Sequence, residues 1–195
     1  MVTLDLSKSY VYSDCLNWLG EVSCELIDGF IKMFPSPIRT HAGVASDLTF
    51  LFKDAVKKNK GNCRVYTAPF DVVFLSDGET DIKQAKNVVQ PDLLVVCNKE
   101  KLKNVCVGAP DLIVEVLSPS TADRDWRVKF DLYEKHGVRE YWVVSPTDLS
   151  IKVFLLQDDG KYDEGTFYEK EGNIPIFIFD GYRLSLKDIF EEMSF

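Results

Sequence analysis

The sequence predicts an α/β or α+β fold, in which helices flank a mixed β-sheet. Residues 91–97 and 111–117 form two nearly continuous apolar runs, typical of strands that are covered on both faces. Residues 39–60 and a later segment that ends at Gly137 carry apolar residues at helical spacing instead. Helices that alternate with strands along the chain indicate this class of fold. The length of 195 residues, with 46% hydrophobic residues, suits one domain with a substantial core.

The N-terminal part predicts a hairpin followed by a long helix. Residues 22–34 are expected to form a β-hairpin, because Asp28 and Gly29 both tolerate the positive φ of a two-residue turn. A helix is predicted over residues 39–60, and Gly61 ends it. The apolar face of this helix is formed by Val44, Leu48, Leu51, Phe52 and Ala55.

The middle of the chain predicts three strands and a second helix. The strands are expected at residues 64–75, 91–97 and 111–117, with a polar excursion at residues 76–87 between the first two. The second helix is expected to begin with Ser120 or Thr121 as its N-cap and to run to about Lys135. A fourth strand is predicted at residues 140–144, and further strands at residues 151–156 and 174–179. A short C-terminal helix is predicted to begin at residues 185–188 with a variant of the capping box.

We expect these elements to form a single domain over residues 1–195. Residues 1–38 are then an N-terminal hairpin extension, residues 39–146 a core, and residues 147–195 a C-terminal elaboration. No change of composition along the chain marks a linker between separate domains.

Charge and composition exclude several classes of protein. The net charge of −8 argues against a protein that coats DNA through a basic surface. No apolar run approaches the roughly 18 residues of a membrane span, and the N-terminus lacks the features of a secretory signal. The five cysteines are few and widely spaced, as expected for buried thiols in a reduced, cytoplasmic protein with no membrane partner.

Three charged residues interrupt otherwise apolar patterns. Asp92 begins one apolar strand, and Glu115 lies inside the next one, where an ionised carboxylate is costly unless it is paired or binds a cation. Lys129 falls on the apolar face of the second helix. Asp125, Lys129 and Tyr133 form an i, i+4, i+8 series on that face.

Two carboxylates and one lysine that converge from two strands and a helix predict a hard-cation site. Asp92 and Glu115 offer the oxygen ligands that Mg²⁺ or Mn²⁺ takes together with waters and substrate phosphates. Lys129 would orient a water molecule or offset charge on a phosphate in the transition state.

The stretch from Pro91 to Pro146 resembles the Uma2-like family of restriction endonucleases. The resemblance is carried by PDLLVV, by GAPDLIVEVLSPST, by the spacing of Asp125, Lys129 and Tyr133, and by GVREYWVVSP. ELIDG at residues 25–29 and His41 at the start of the first helix are similar too. The resemblance covers almost the whole chain and weakens after about residue 155, and this combination of phrases is highly specific.

The resemblance implies a place in the PD-(D/E)xK nuclease superfamily and a restriction-endonuclease-like α-β-β-β-α-β core. It carries Asp92 over as the acid of the PD motif and Glu115 as the second acid, the two metal ligands. The usual lysine, two residues after the second acid, is replaced by Leu117, and Lys129 is expected to supply it from the following helix. Asp125 and Tyr133 are expected to hold Lys129 in position, and His41 is expected to support the site without binding the metal.

The leading interpretation is a Mg²⁺-dependent or Mn²⁺-dependent endonuclease that acts on nucleic acid, with DNA the expected substrate and a homodimer the expected assembly. A non-catalytic module that binds nucleic acid or protein is an alternative, favoured by Leu117 and by the acidic balance. A third interpretation is a regulatory dimer that binds a metal for stability only. The residues also allow plainer roles, in which Asp92 caps a loop, Glu115 is a structural acid and Lys129 pairs with Asp125.

Overall fold

The computed structural model of the chain describes residues 4–18, 24–33, 38–59, 61–118, 125–169 and 171–194. Within them the α-helices are α1 (Tyr12–Asn17), α2 (Arg39–Lys58), α3 (Asp125–His136) and α4 (Leu186–Ile189). The strands are β1 (Cys24–Ile27), β2 (Phe30–Met33), β3 (Arg64–Thr67), β4 (Val72–Phe74), β5 (Asn87–Val89), β6 (Leu93–Val96), β7 (Cys106–Val107), β8 (Leu112–Val116), β9 (Glu140–Ser145), β10 (Ser150–Leu155), β11 (Thr166–Glu169), β12 (Asn173–Pro175) and β13 (Arg183–Ser185). Short 3₁₀ turns lie at Ile82–Gln84, Lys99–Lys101 and Glu191–Ser194.

The described strands form two larger sheets and one small one. The six-stranded sheet has the order β11-β10-β9-β8-β6-β3, and the five-stranded sheet the order β2-β1-β5-β4-β7. Strands β8 and β9 run parallel, whereas the other neighbours in the six-stranded sheet are antiparallel. The chain order α2, β3, β6, β8, α3 and β9 gives an α-β-β-β-α-β core, so the predicted mixed α/β class is confirmed.

The six-stranded sheet is covered on both faces, which explains the continuous apolar runs in β6 and β8. On one face, the apolar side of α2 packs against alternate residues of the central strands; this cluster includes Val44, Leu48, Phe52, Leu93, Val95, Val114 and Trp142. On the other face, α3 and part of the five-stranded sheet share a second cluster, which includes Phe74, Val89, Leu94, Ile113, Leu132, Tyr133 and Tyr141. Residues next to each other in a strand therefore enter different clusters, as the alternation of side chains in a strand requires.

The predicted strand at residues 64–75 is wrong as a single element. Strand β3 belongs to the six-stranded sheet and β4 to the five-stranded sheet. Pro69 lies between them and has no N–H with which to continue a ladder. The polar excursion at residues 76–87 ends in β5, which pairs with both β1 and β4. Because β5 and β7 have only three and two residues, no alternating pattern reveals them in the sequence.

The two ends of the chain contain confirmed and corrected elements. The hairpin of β1 and β2 turns at Asp28 and Gly29, whose φ values of 51° and 84° are those that its two-residue turn needs. The sequence did not predict α1 or β11. The strand predicted at residues 174–179 is reduced to β12, and α4 follows Ser185 without a side-chain cap, so that capping box is wrong. The predicted N-caps Ser120 and Thr121 lie outside the described residues.

The expectation of buried, unpaired thiols is wrong for two of the cysteines. Cys63 and Cys97 form a disulfide. Because Arg64 pairs with Val96, the two cysteines lie opposite each other, next to the paired ends of neighbouring strands. Cys106 is a buried thiol, and the side chain of Cys24 lies outside the described residues. In the described part of the chain, no helix combines the length and the apolar character that a membrane crossing needs.

Candidate active site

Asp92 and Glu115 lie side by side at one end of two antiparallel neighbours, β6 and β8. Leu93 pairs with Val114, so the register places Asp92 opposite Glu115, on the same face of the sheet. The Oδ2 atom of Asp92 accepts a hydrogen bond of 2.7 Å from the backbone N–H of Val116. The two acids predicted from the strand patterns are therefore brought together.

Lys129 and Tyr133 reach Glu115 from helix α3, which covers that face of the sheet. The Nζ atom of Lys129 lies 3.0 Å from Oε1 of Glu115, and the hydroxyl of Tyr133 donates to the same oxygen at 2.6 Å. The i, i+4 spacing on the buried side of the helix produces this convergence. Tyr133 was expected to support Lys129, but it contacts Glu115 instead.

Glu25, on β1 of the N-terminal hairpin, is a buried member of this cluster that the sequence reasoning missed. Its Oε1 atom lies 2.9 Å from Nζ of Lys129 and accepts a 2.8 Å hydrogen bond from the backbone N–H of Gln90. Only 2% of Glu25 is exposed. The available signal was its place in the ELIDG phrase, because a single acid in a short hairpin strand is usually a solvent-facing residue.

A line of hydrogen bonds extends from Glu25 to the N-terminal helix. The side-chain amide of Gln90 donates to Oδ1 of Asp71 at 2.7 Å, and the hydroxyl of Tyr12 donates to Oδ2 of Asp71 at 2.5 Å. Burial and the neighbouring Asp71 raise the pKa of Tyr12, so its hydroxyl stays protonated and remains a donor. These contacts connect α1, the residue before β4 and the residue after β5 with the charged cluster.

His41 lies in the first turn of α2 and contacts Asp92. Its Nε2 atom is 3.2 Å from Oδ2 of Asp92. The hydrogen bond to Asp92 raises the pKa of His41, against the opposing effect of burial. The remaining predicted residue, Asp125, begins helix α3, but its side chain lies outside the described residues.

The cluster has an excess of negative charge. Burial raises the pKa of Glu115 to about 7; Lys129 opposes this shift, whereas Asp92 and Glu25 add to it. Burial alone would lower the pKa of Lys129, but Glu115 and Glu25 together raise it above its usual value. When all are ionised, three carboxylates and one ammonium leave a formal charge of −2, which a divalent cation would neutralise.

The donor set fits a hard divalent cation. Within the described residues, Oδ1 of Asp92 and Oε2 of Glu115 make no hydrogen bond, although the other oxygen of each carboxylate does. Mg²⁺ commonly takes one or two carboxylates and keeps several waters. In the same part of the chain, no group of three or more His, Cys, Asp or Glu side chains is arranged to hold a metal. Two carboxylates therefore suit Mg²⁺ or Mn²⁺ better than a closed zinc site.

Comparison with known proteins connects this geometry to a family. The profile of the family described as "Uma2: Putative restriction endonuclease" matches residues 13–187. An uncharacterized protein of Synechocystis sp. is 30% identical over 140 residues, which are 71% of this chain and 68% of that protein. A crystal structure from Anabaena variabilis, described as "a putative nuclease belonging to DUF820", has a TM-score of 0.74 at 21% identity and covers 93% of this chain and 98% of its own. Because the family profile spans most of the sequence, this chain belongs to the Uma2 restriction-endonuclease family.

Proposed function

We propose that this protein is a metal-dependent endonuclease that hydrolyses phosphodiester bonds of nucleic acid, with DNA as its substrate. The observation that carries the proposal is the pair of neighbouring carboxylates, Asp92 and Glu115, each with one oxygen that makes no hydrogen bond within the described residues. A lysine 3.0 Å from one of them adds the cation that phosphoryl chemistry commonly uses. Family membership supports the same class of reaction.

Asp92 and Glu115 would hold Mg²⁺ or Mn²⁺, which when bound lowers the pKa of a coordinated water and offsets charge on the phosphate. Asp92 is fixed for this task by the N–H of Val116 and by His41. Glu115 is fixed by Tyr133, which holds one oxygen and leaves the other directed elsewhere. The chain thus orients both carboxylates before any ligand arrives, which is the preorganisation that catalytic sites require.

Lys129 would act as a hydrogen-bond donor and positive charge, not as a base. Its raised pKa keeps the side chain protonated at neutral pH. An ammonium beside Glu115 can donate to a phosphate oxygen or orient the attacking water, and it can offset the charge that develops in the transition state. Leu117 occupies the position where related nucleases usually carry this lysine, so Lys129 is the cation that the site supplies.

The proposal is tested by Mn²⁺ binding and by DNA cleavage. Calorimetry on the wild type, Asp92→Ala and Glu115→Ala is expected to show one Mn²⁺ site that both substitutions remove, together with cleavage by the wild type alone. The isosteric variants Asp92→Asn and Glu115→Gln repeat the test if either alanine variant fails to fold. Unchanged Mn²⁺ affinity in both variants, with cleavage also unchanged, would overturn the proposal.

Asp111, which directly precedes strand β8, provides a matched control. It lies near the opposite end of β8, where its carboxylate accepts a 2.7 Å hydrogen bond from Cys97 N–H and a 3.2 Å bond from Arg139. Asp111→Asn is expected to keep Mn²⁺ binding and cleavage. If the wild type binds no Mn²⁺ and cleaves nothing, the non-catalytic module, which Leu117 favours, replaces the nuclease.

A further inference from the structure

Lys129 lies between two carboxylates that come from different parts of the chain. Its Nζ atom is 3.0 Å from Glu115 on the central strand β8 and 2.9 Å from Glu25 on the N-terminal hairpin. The hairpin is outside the α-β-β-β-α-β core, so Glu25 is an addition to the residues that the core itself provides. Glu25 is neither one of the two proposed metal ligands nor the proposed cation of the site.

We propose that Glu25 is a positioning residue, which holds the ammonium of Lys129 in place when Glu115 binds a divalent cation. The inference rests on the proposed nuclease function and adds a residue to it. Without Glu25, a cation at Glu115 would compete for the carboxylate that pairs with Lys129, and a buried ammonium would lose much of its compensation. With Glu25 present, Lys129 keeps a carboxylate that the cation does not use.

Burial separates the role of Glu25 from that of the proposed metal ligands. The side chains of Asp92 and Glu115 are 17% and 12% exposed, whereas that of Glu25 is 2% exposed. Mg²⁺ usually keeps several waters, and these need access that the surroundings of Glu25 do not provide. The oxygen of Glu25 that faces Lys129 also accepts the backbone N–H of Gln90. Glu25 is therefore placed to hold a neighbouring side chain and not to bind a hydrated cation.

Glu25 is supported by a series of hydrogen bonds and by strand pairing. Its backbone donor, Gln90, is fixed through its own side chain to Asp71, which in turn accepts the Tyr12 hydroxyl. Strand β1 is paired on both sides, with β2 and with β5, so the backbone of Glu25 is held as well. A carboxylate on such a support can fix the ammonium to within the small tolerance that catalysis demands.

The test compares Glu25→Gln with wild type by NMR of the Lys129 ammonium and by steady-state cleavage. The Lys129 resonance is assigned by its loss in Lys129→Met, and it is followed with and without saturating Mg²⁺. In Glu25→Gln we expect faster hydrogen exchange of this ammonium, most of all with Mg²⁺ bound. We also expect kcat to fall by about 10- to 100-fold, as for a misplaced catalytic group, with Mg²⁺ affinity changed by less than about fivefold.

Two further variants make the result specific. Glu25→Asp keeps the charge on a shorter side chain, and we expect it to restore part of the lost kcat. Glu140→Gln alters another buried glutamate, which bonds to Trp142 and to the backbone of Ile178, and is expected to leave the Lys129 resonance unchanged. Glu25→Asp also provides the comparison with wild type if Glu25→Gln does not fold.

Two outcomes would overturn the inference. A Lys129 resonance and a kcat that are the same in Glu25→Gln and wild type would show that Glu25 does not hold the lysine. Loss of Mg²⁺ binding equal to that of Glu115→Ala would make Glu25 a ligand instead. If the wild type neither binds Mg²⁺ nor cleaves, the nuclease proposal fails by itself, and the metal-free exchange rate still decides whether Glu25 holds Lys129.

Discussion

Glu115 and Glu140 are buried on neighbouring parallel strands, yet their carboxylates are satisfied in opposite ways. Glu140, at the start of β9, is fully buried; its Oε1 accepts from the Trp142 indole at 2.7 Å and its Oε2 from the N–H of Ile178 at 2.9 Å. Glu115, near the end of β8, receives Lys129 and Tyr133 on a single oxygen. Among the described residues, its second oxygen makes no hydrogen bond.

The difference separates a structural acid from a proposed functional one. Burial raises the pKa of both residues. At Glu140, neutral N–H donors oppose that effect, whereas at Glu115 the neighbouring Asp92 and Glu25 add to it. A fully bonded carboxylate holds elements together, and here Glu140 links β9 to the segment that follows β12. A carboxylate that keeps an unused oxygen among like charges has capacity for a cation.

The largest expected effect comes from removing the cation beside Glu115. Lys129→Met leaves Glu25 and Glu115 as two buried carboxylates without their ammonium. We expect a loss of about 3–5 kcal/mol in the free energy of unfolding at pH 8, measured by urea denaturation. In the control Lys161→Met, the lysine is 70% exposed and pairs with Glu134, so we expect a much smaller loss of stability than in Lys129→Met. Equal effects in the two variants would contradict the view that Glu115 depends on a buried ion pair.

Next in size is the effect of Glu115→Gln on cleavage. The amide keeps an oxygen for Lys129 and Tyr133 but removes the charge that would bind the cation. We expect metal-dependent cleavage to fall by about 100-fold or more, equivalent to about 2.7 kcal/mol of transition-state stabilisation. The unfolding free energy should not decrease, because like-charge repulsion is relieved. If Glu115→Gln cleaves within about threefold of the wild-type rate, Glu115 is not a functional acid.

Glu140→Gln is expected to show the opposite pattern. An amide NH₂ would face either the Trp142 indole or the backbone N–H groups near Ile178, so at least one donor loses its acceptor. We expect a loss of about 1–3 kcal/mol of stability, measured by thermal or urea unfolding, with cleavage per folded molecule unchanged. If Glu140→Gln is as stable as wild type but cleaves more slowly, Glu140 has a functional role and not a structural one.

The smallest expected effect is a difference between the pKa values of His41 and His136, measured as titration midpoints by NMR. The hydrogen bond to Asp92 raises the pKa of His41, so its midpoint should lie above 6.5. Burial lowers the pKa of His136, which stacks on Phe74, so its midpoint should lie below 6.5. His136 thus contributes stability that is present above pH 6.5 and lost as the pH falls. His41 has the opposite sign, with stability present below pH 6.5 and lost as the pH rises through its folded value.

Urea-unfolded protein is the control for this titration, because both midpoints should then return to about 6.5. Replacing Asp92 by Asn should lower the His41 midpoint and leave that of His136 unchanged. Coincident midpoints in the folded protein would mean that the Asp92 end of the sheet does not carry excess negative charge.

The sequence was sufficient to predict residues that interrupt strong local patterns. Glu115 and Lys129 are charged residues on apolar faces, and simple strand and helix geometry brings them together. The order of core elements follows from the same periodicity. The disulfide could not be predicted, since Cys63 and Cys97 are 34 residues apart and meet only through the register of β3 and β6.

Glu25 and Glu140 escaped prediction because their partners are distant in sequence. Glu25 meets Gln90, 65 residues later, only after β1 pairs with β5. Glu140 accepts a hydrogen bond from the backbone N–H of Ile178, 38 residues later, in a segment whose strand was predicted too long. Short strands and single acids at strand ends carry no periodicity, so only the assembled sheets reveal what buries them.

The lysine of this site is carried by helix α3, not by the strand that carries its carboxylate partner. Leu117 stands two residues after Glu115, whereas Lys129 and Tyr133 follow Glu115 by 14 and 18 residues. A motif search that demands a lysine two residues after the second acid of the site would therefore not find Lys129. A search that pairs the strand-borne acid with a lysine and a tyrosine one helical turn apart on the next helix would retrieve it.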